Sequence, residues 1–121
     1  MIKTTNRFKY FTHPEPNKPD ATEKNIEAYL RTETKKRGGW AMKNDAQTRA
    51  GVPDRLVLMR SGLYIFVEVK RYGKKPTDRQ RRRFTELLDL GCNVCWLDCK
   101  EGVDAMFKHH GKRGGKDVNQ E

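Results

Sequence analysis

Three residues in this chain combine types and spacing that could do chemistry: Asp54, Glu68 and Lys70. Asp54 closes the segment Gly51-Val52-Pro53-Asp54, and Glu68-Val69-Lys70 ends an apolar run that begins at Leu63. On a strand successive side chains alternate faces, so Glu68 and Lys70 point one way while Val69 points into the core. An acid and an amine then share one spot. Residues 54–60 and 63–70 are two short runs joined by Ser61-Gly62, the pattern of a hairpin with glycine at its turn. Closing that hairpin returns Asp54 to the side of Glu68. Two carboxylates at one end of a sheet make a hard oxygen site, suited to Mg²⁺ or Mn²⁺ rather than zinc. Alone, Pro53-Asp54 is most often a turn, and Glu-x-Lys an exposed ion pair worth ~0.2–1 kcal/mol. Residues 63–67, however, are apolar on both faces and suit a central strand, where a carboxylate and an amine need a reason. Metal binding supplies it for Glu68, and positioning of a water or a phosphate supplies it for Lys70.

The elements that must position these residues can be read outward from them. Thr22 is placed to cap a helix running to about residue 37, with Ile26, Tyr29 and Leu30 inward and Gly38-Gly39 as its stop. A short strand, Trp40–Lys43, precedes the hairpin. Pro76-Thr77-Asp78 opens a second helix whose Phe84, Leu87 and Leu88 face the sheet and which stops at Gly91. Residues 92–98 form the last strand, and a short helix spans about residues 101–109. Gln80, four residues before Phe84 and eight before Leu88, sits at the head of the buried stripe and is expected to point toward the sheet. On the first helix, Glu23 borders the Ile26 and Leu30 face and Glu27 lies further round toward solvent, so Glu23 is the preferred further acid. The order helix, three strands, helix, strand implies a small mixed α/β sheet flanked by helices.

Length and charge narrow the partners. A chain of 121 residues is one domain's worth. Residues 1–20 read as a basic arm, with Pro14, Pro16 and Pro19 after Phe8, Tyr10 and Phe11. Residues 21–110 form the folded domain and 111–121 a flexible basic tail without apolar period. Lys and Arg number 26 against 16 Asp and Glu, a formal charge of +10. Between positions 70 and 83 stand eight basic residues and one acid, Asp78, so seven of those charges have an address. Such a surface suits a polyanion, with nucleic acid the leading partner. No apolar stretch is long enough for a membrane span and the N-terminus lacks a signal-peptide core, so an intracellular protein with no membrane partner is expected. Cys92, Cys95 and Cys99 lack a fourth ligand at the usual spacing and read as structural thiols, and His109 and His110 read as the cationic end of a helix.

These motifs in register resemble the core of the PD-(D/E)XK nuclease superfamily, with its restriction-endonuclease-like αβββαβ order. Gly38-Gly39 with Lys43, Gly51-Val52-Pro53-Asp54, Phe66-Val67-Glu68-Val69-Lys70 and Gln80 resemble the VRR-NUC family in particular. The first helix is also similar, in its Glu-x-x-Ile-x-x-x-Leu pattern, to archaeal Holliday-junction resolvases of the same superfamily. The resemblance implies a Mg²⁺-dependent endodeoxyribonuclease, with Mn²⁺ able to substitute. It implies a metal held by Asp54, Glu68, the Val69 carbonyl and Glu23, directly or through water, with Lys70 and Gln80 completing the catalytic set. Lys43, Arg71, Lys74, Lys75, Arg79, Arg82 and Arg83 are the expected DNA contacts. Stand-alone members imply a phage-encoded homodimer acting on branched DNA in the host cytoplasm. A nucleic-acid-binding accessory protein that keeps the fold without cutting is the alternative, and metal-dependent turnover separates the two.

Overall fold

A computed structural model describes residues 21–44 and 50–110. The elements are α1 (Glu23–Lys36), β1 (Trp40–Lys43), β2 (Arg55–Leu58), β3 (Tyr64–Val69), α2 (Asp78–Asp89), β4 (Val94–Leu97) and α3 (Lys100–His110). The expected order of helix, three strands, helix and strand is therefore present, with the terminal helix after it. The expected basic arm, the tail and most of the loop after Asn44 lie outside the described residues.

Local chemistry accounts for the element ends. Thr22 caps α1 by accepting a hydrogen bond from the Asn25 amide at 3.1 Å. Gly38, at φ +80°, follows the last turn of that helix in the left-handed conformation glycine tolerates. Thr77 caps α2 in a capping box: its hydroxyl accepts from the Gln80 amide, and Oε1 of Gln80 accepts from the Thr77 amide. The hairpin differs from expectation by one residue. Met59 N–H donates to the Leu63 carbonyl at 2.8 Å, so the connection is the three residues Arg60, Ser61 and Gly62, with Gly62 at φ +87°.

The four strands form one mixed sheet in the order β1-β2-β3-β4, antiparallel except for the parallel β3–β4 pair. That parallel pair is joined through α2, as a crossover requires. Alternation splits the side chains between two layers. On one face Ala41, Val57, Ile65, Val67, Val69, Cys95 and Leu97 pack with Ile26 and Leu30 of α1 and with Val103, Met106 and Phe107 of α3. On the other, Phe84 of α2 is fully buried against Val94 and Trp96, with Phe66, Leu87 and Leu88 packed around it. Glu68 belongs to this second face, two residues on from Phe66. No helix among the described residues is long and apolar enough to cross a membrane.

Candidate active site

The sheet register brings the two carboxylates together. Arg55 pairs with Val67 across β2 and β3, so one step further Asp54 stands opposite Glu68. The Asp54 amide hydrogen-bonds the Glu68 carboxylate. Lys70 Nζ lies 3.8 Å from Glu68 Oε2, and the two residues are only 7% and 9% exposed. Burial above all, then the charge of Asp54, pushes the Glu68 carboxyl up from 4.5 to about 7; Lys70 and the Asp54 amide pull the other way, and Glu23 adds to the rise. Oδ1 of Asp54 is buried with no hydrogen-bond partner among the described residues. A buried carboxylate oxygen left unsatisfied beside a second acid that resists ionisation suits a hard cation, which would satisfy the one and lower the pKa of the other. The described residues hold no group of three His, Cys, Asp or Glu side chains arranged for a metal. Two carboxylates would therefore need a carbonyl such as that of Val69, water and phosphate to complete a shell, which is how Mg²⁺ is usually bound.

Both strands of the site are tied at their ends. The Asn44 amide donates to the Asp54 carbonyl at 2.6 Å, fastening the end of β1 to the start of β2. Gly51, at φ +89°, presses on α2: a Cβ there would meet the Arg79 carbonyl and Arg83 Cγ, each at 2.9 Å. Arg83 closes the same contact, its Nε donating to the Ala50 carbonyl at 2.8 Å while Nη1 is shared between the two Glu86 carboxylate oxygens. Beyond Glu68, the Lys70 amide donates to Leu97 O at 2.8 Å and the Tyr72 amide to Ala21 O at 3.0 Å, linking this strand end to the residue before the α1 cap. Gly73 N–H donates to Oδ2 of Asp98, itself 1% exposed, at 3.1 Å.

The other predicted site residues separate into groups. Glu23, in the first turn of α1, is exposed and close enough to act on Glu68 electrostatically. Glu27, expected toward solvent, is instead half-buried and engaged elsewhere: its Oε1 accepts from Arg55 Nη2 at 3.0 Å, in a largely buried pair. Gln80 is half-buried, and its side-chain oxygen serves the α2 cap rather than reaching for the sheet, so that expectation is corrected. Lys43, Arg71, Lys74, Lys75, Arg79 and Arg82 are exposed, as phosphate contacts must be. Arg83 is half-buried and holds protein partners with its guanidinium, which ties the Asp54 loop to α2. Cys92, Cys95 and Cys99 are free thiols. Burial pushes the Cys95 thiol upward, and it contacts the Met106 sulfur at 3.5 Å.

Sequence reasoning missed Arg55, Asp98 and the tying role of Arg83. Arg55 sits one residue beyond Asp54 on the opposite, core face, and a charge at an inward strand position is itself a signal that a buried partner exists. For Asp98 and Arg83 the partners are distant in the chain, and no local pattern announces them.

A mixed sheet in this order, carrying two carboxylates and a lysine at the joined ends of its two central strands, defines a PD-(D/E)XK-type nuclease core. No family model matches the chain. A curated protein described as "Putative nuclease p44", from Acyrthosiphon pisum secondary endosymbiont phage 1, is 46% identical over 79 residues, which are 65% of this chain and 85% of that protein. A solved structure described as a VRR_NUC domain superposes with a TM-score of 0.67 at 31% identity, covering 74% of this chain and 98% of the other. The chain belongs to the VRR-NUC family of nucleases.

Proposed function

We propose that this nuclease is a Mg²⁺-dependent DNA endonuclease that acts on branched or otherwise structured DNA inside the cell, as a homodimer. The observation that carries the metal reading is the pairing of Asp54 with buried Glu68, with the buried Oδ1 of Asp54 unsatisfied among the described residues and Glu68 pushed up to about 7. Asp54, Glu68 and the Val69 carbonyl would hold Mg²⁺ or Mn²⁺, with Glu23 reaching it through water. When bound, such an ion would lower the pKa of a coordinated water and neutralise charge on the phosphate. Lys70, fixed beside Glu68, directs a proton toward the attacking oxygen or the anion that develops. The water oxygen forms a bond to phosphorus as the bond to the 3′ oxygen breaks, leaving a 5′-phosphate and a 3′-hydroxyl. The exposed basic residues between positions 70 and 82 bind backbone phosphate, which makes binding strongly salt-dependent. Two copies would let two active sites cut two strands symmetrically.

The test is a cleavage panel of four-way junction, flap, splayed arm, linear duplex and single strand, with Mg²⁺, Mn²⁺ or EDTA, beside Glu68→Ala. Metal-dependent cutting that the substitution abolishes supports the proposal, and the panel names the substrate. Binding without cutting in either metal sinks it in favour of a nucleic-acid-binding protein that keeps a nuclease fold.

A further inference from the structure

The geometry points to a second functional surface on the sheet: an aromatic platform that stacks unpaired bases of the strand being cut. This inference rests on the nuclease reading for its substrate but on different residues.

Ala41 packs into the core beneath α1 and α3, so its neighbours Trp40 and Met42 lie on the opposite face of the sheet. That face also carries Leu56, Leu58, Tyr64 and Phe66, and it is the face of Glu68 and Asp54. The register puts Trp40, Leu58 and Tyr64 in one row across three strands, and Met42, Leu56 and Phe66 in the next. Beyond that row come Asp54 and Glu68. Among the described residues α2 covers only the β4 side of this face, through Phe84, Leu87 and Leu88. Trp40 is left 63% exposed and Tyr64 37%. A contiguous apolar surface of this kind on a strongly charged protein marks an interaction site.

The choice of occupant follows from position and charge. The aromatic row is four residues from the carboxylates, or about 13 Å at ~3.3 Å per strand residue. A stacked strand advances about 3.4 Å per nucleotide, so a chain whose phosphate sits at Asp54 and Glu68 brings bases roughly four steps away, or fewer if extended, over Trp40. Exposed Arg79, beside the Gly51 loop, supplies a cation at the carboxylate end of this route, whereas Lys43, two residues on from Ala41, belongs to the opposite face of the sheet. Aromatic faces interleaved with backbone-tracking cations are how single-stranded nucleic acid is held without sequence preference. The Tyr64 ring is already oriented: its hydroxyl contacts the Cys92 sulfur at 3.5 Å and it meets the Phe66 ring edge-on, with centroids 6.0 Å apart. Bases within a duplex present no free face to such a surface. The platform therefore selects DNA with unpaired nucleotides next to the cut.

The chain has two tryptophans, and Trp96 is 2% exposed, so a change in indole emission on nucleic-acid binding reports Trp40. The experiment titrates the full chain with oligothymidine in EDTA, where nothing is cut, and follows tryptophan emission alongside anisotropy of a labelled strand. Quenching at saturation is expected. Trp40→Ala should weaken single-strand binding by about tenfold and leave a blunt duplex bound as before, and Trp40→Phe should restore most of the loss. Binding by anisotropy without quenching, an equal loss on both substrates, or an emission change that follows protein concentration instead of DNA would overturn the platform; the last would assign the face to a second copy of the chain. The nuclease reading is tested separately with Mg²⁺. Quenching without cutting keeps the platform and rejects the nuclease reading, and cutting without quenching does the reverse.

Discussion

Replacing Glu68 with glutamine should stabilise the metal-free protein while removing its activity. The Glu68 carboxyl is held well above the ordinary 4.5, at about 7, because burial and Asp54 both oppose its charge. A group whose pKa is raised on folding favours the fold when protonated. Below about pH 4.5 it is neutral in both states and adds no penalty. As pH climbs from there through 7, the unfolded chain ionises first and stability falls, levelling off above 7. At ~1.36 kcal/mol for each pH unit of difference, the full penalty is about 3 kcal/mol. Glutamine has nearly the same shape, keeps an oxygen to accept the Asp54 amide, and carries no charge at any pH.

The assay is urea or thermal unfolding of both proteins in EDTA at pH 5 and pH 8. At pH 8 the variant should be more stable by about 1–3 kcal/mol, which for a domain of this size raises Tm on the order of 10 °C. At pH 5 the gap should mostly close. Adding Mg²⁺ should stabilise the parent and leave the variant little changed, because a ligand stabilises only the state that binds it. An equal gain at both pH values, or a variant less stable than its parent at pH 8, would refute the electrostatic account of this site.

The ties, the buried ion pair, the α2 cap and the exposed cations each carry an expected outcome. Gly51→Ala forces an L-residue into φ +89° against the Arg79 carbonyl, costing at least ~1–2 kcal/mol in chemical denaturation, and Arg83→Ala should lower kcat more than it raises KM because the Asp54 loop loses its tie. Glu27→Ala strands a buried guanidinium and should destabilise by about 3–5 kcal/mol, whereas leucine at both Glu27 and Arg55 should recover most of that loss in the same unfolding assay. Thr77→Ala should cost about 1 kcal/mol through the α2 cap; Gln80→Glu retains the capping oxygen, so unchanged unfolding with reduced cleavage would give Gln80 a role at the phosphate. Arg82→Ala, at an exposed position, should weaken DNA binding across sequences and reduce the slope of log affinity against log salt by about one, read by anisotropy.

Most of the site was legible because it is built from short-range rules. Strand alternation put Glu68 and Lys70 on one side, and hairpin closure returned Asp54 to them, even though the turn holds three residues rather than two. Helical spacing ranked Glu23 above Glu27 by turning Glu27 toward solvent, and the structure reverses those placements: Glu23 is exposed, whereas Glu27 is half-buried and held by Arg55. Long-range facts were not legible. A helical wheel sees Arg83 as one more cation in a basic stripe, and only the docking of the Asp54 loop on α2 turns it inward. Likewise the alternation that made Trp40–Lys43 a strand says nothing about which face α2 leaves uncovered. The cap engagement of Gln80 was missed for a subtler reason, since its place at the head of the buried stripe is also the third position of a capping box.

The ties around the centre explain how an unfavourable arrangement persists. Buried Glu68 and half-buried Asp54, with its Oδ1 unsatisfied among the described residues, repel each other, and a flexible loop would simply swing Asp54 into water. Here the Asp54 carbonyl is held by the end of β1, Gly51 and Ala50 are held by α2, and the chain beyond Lys70 is held by Leu97, Ala21 and Asp98. None of these bonds uses the carboxylates themselves. The scaffold therefore bears the electrostatic strain while leaving the charged oxygens available, and a cation bound as proposed would offset that repulsion. On this argument, loosening any tie should weaken metal binding even as it relieves repulsion in the metal-free protein. Arg83→Ala in the Glu68→Gln background should then cost the same stability as in the parent or more, because the variant has no repulsion left to relieve.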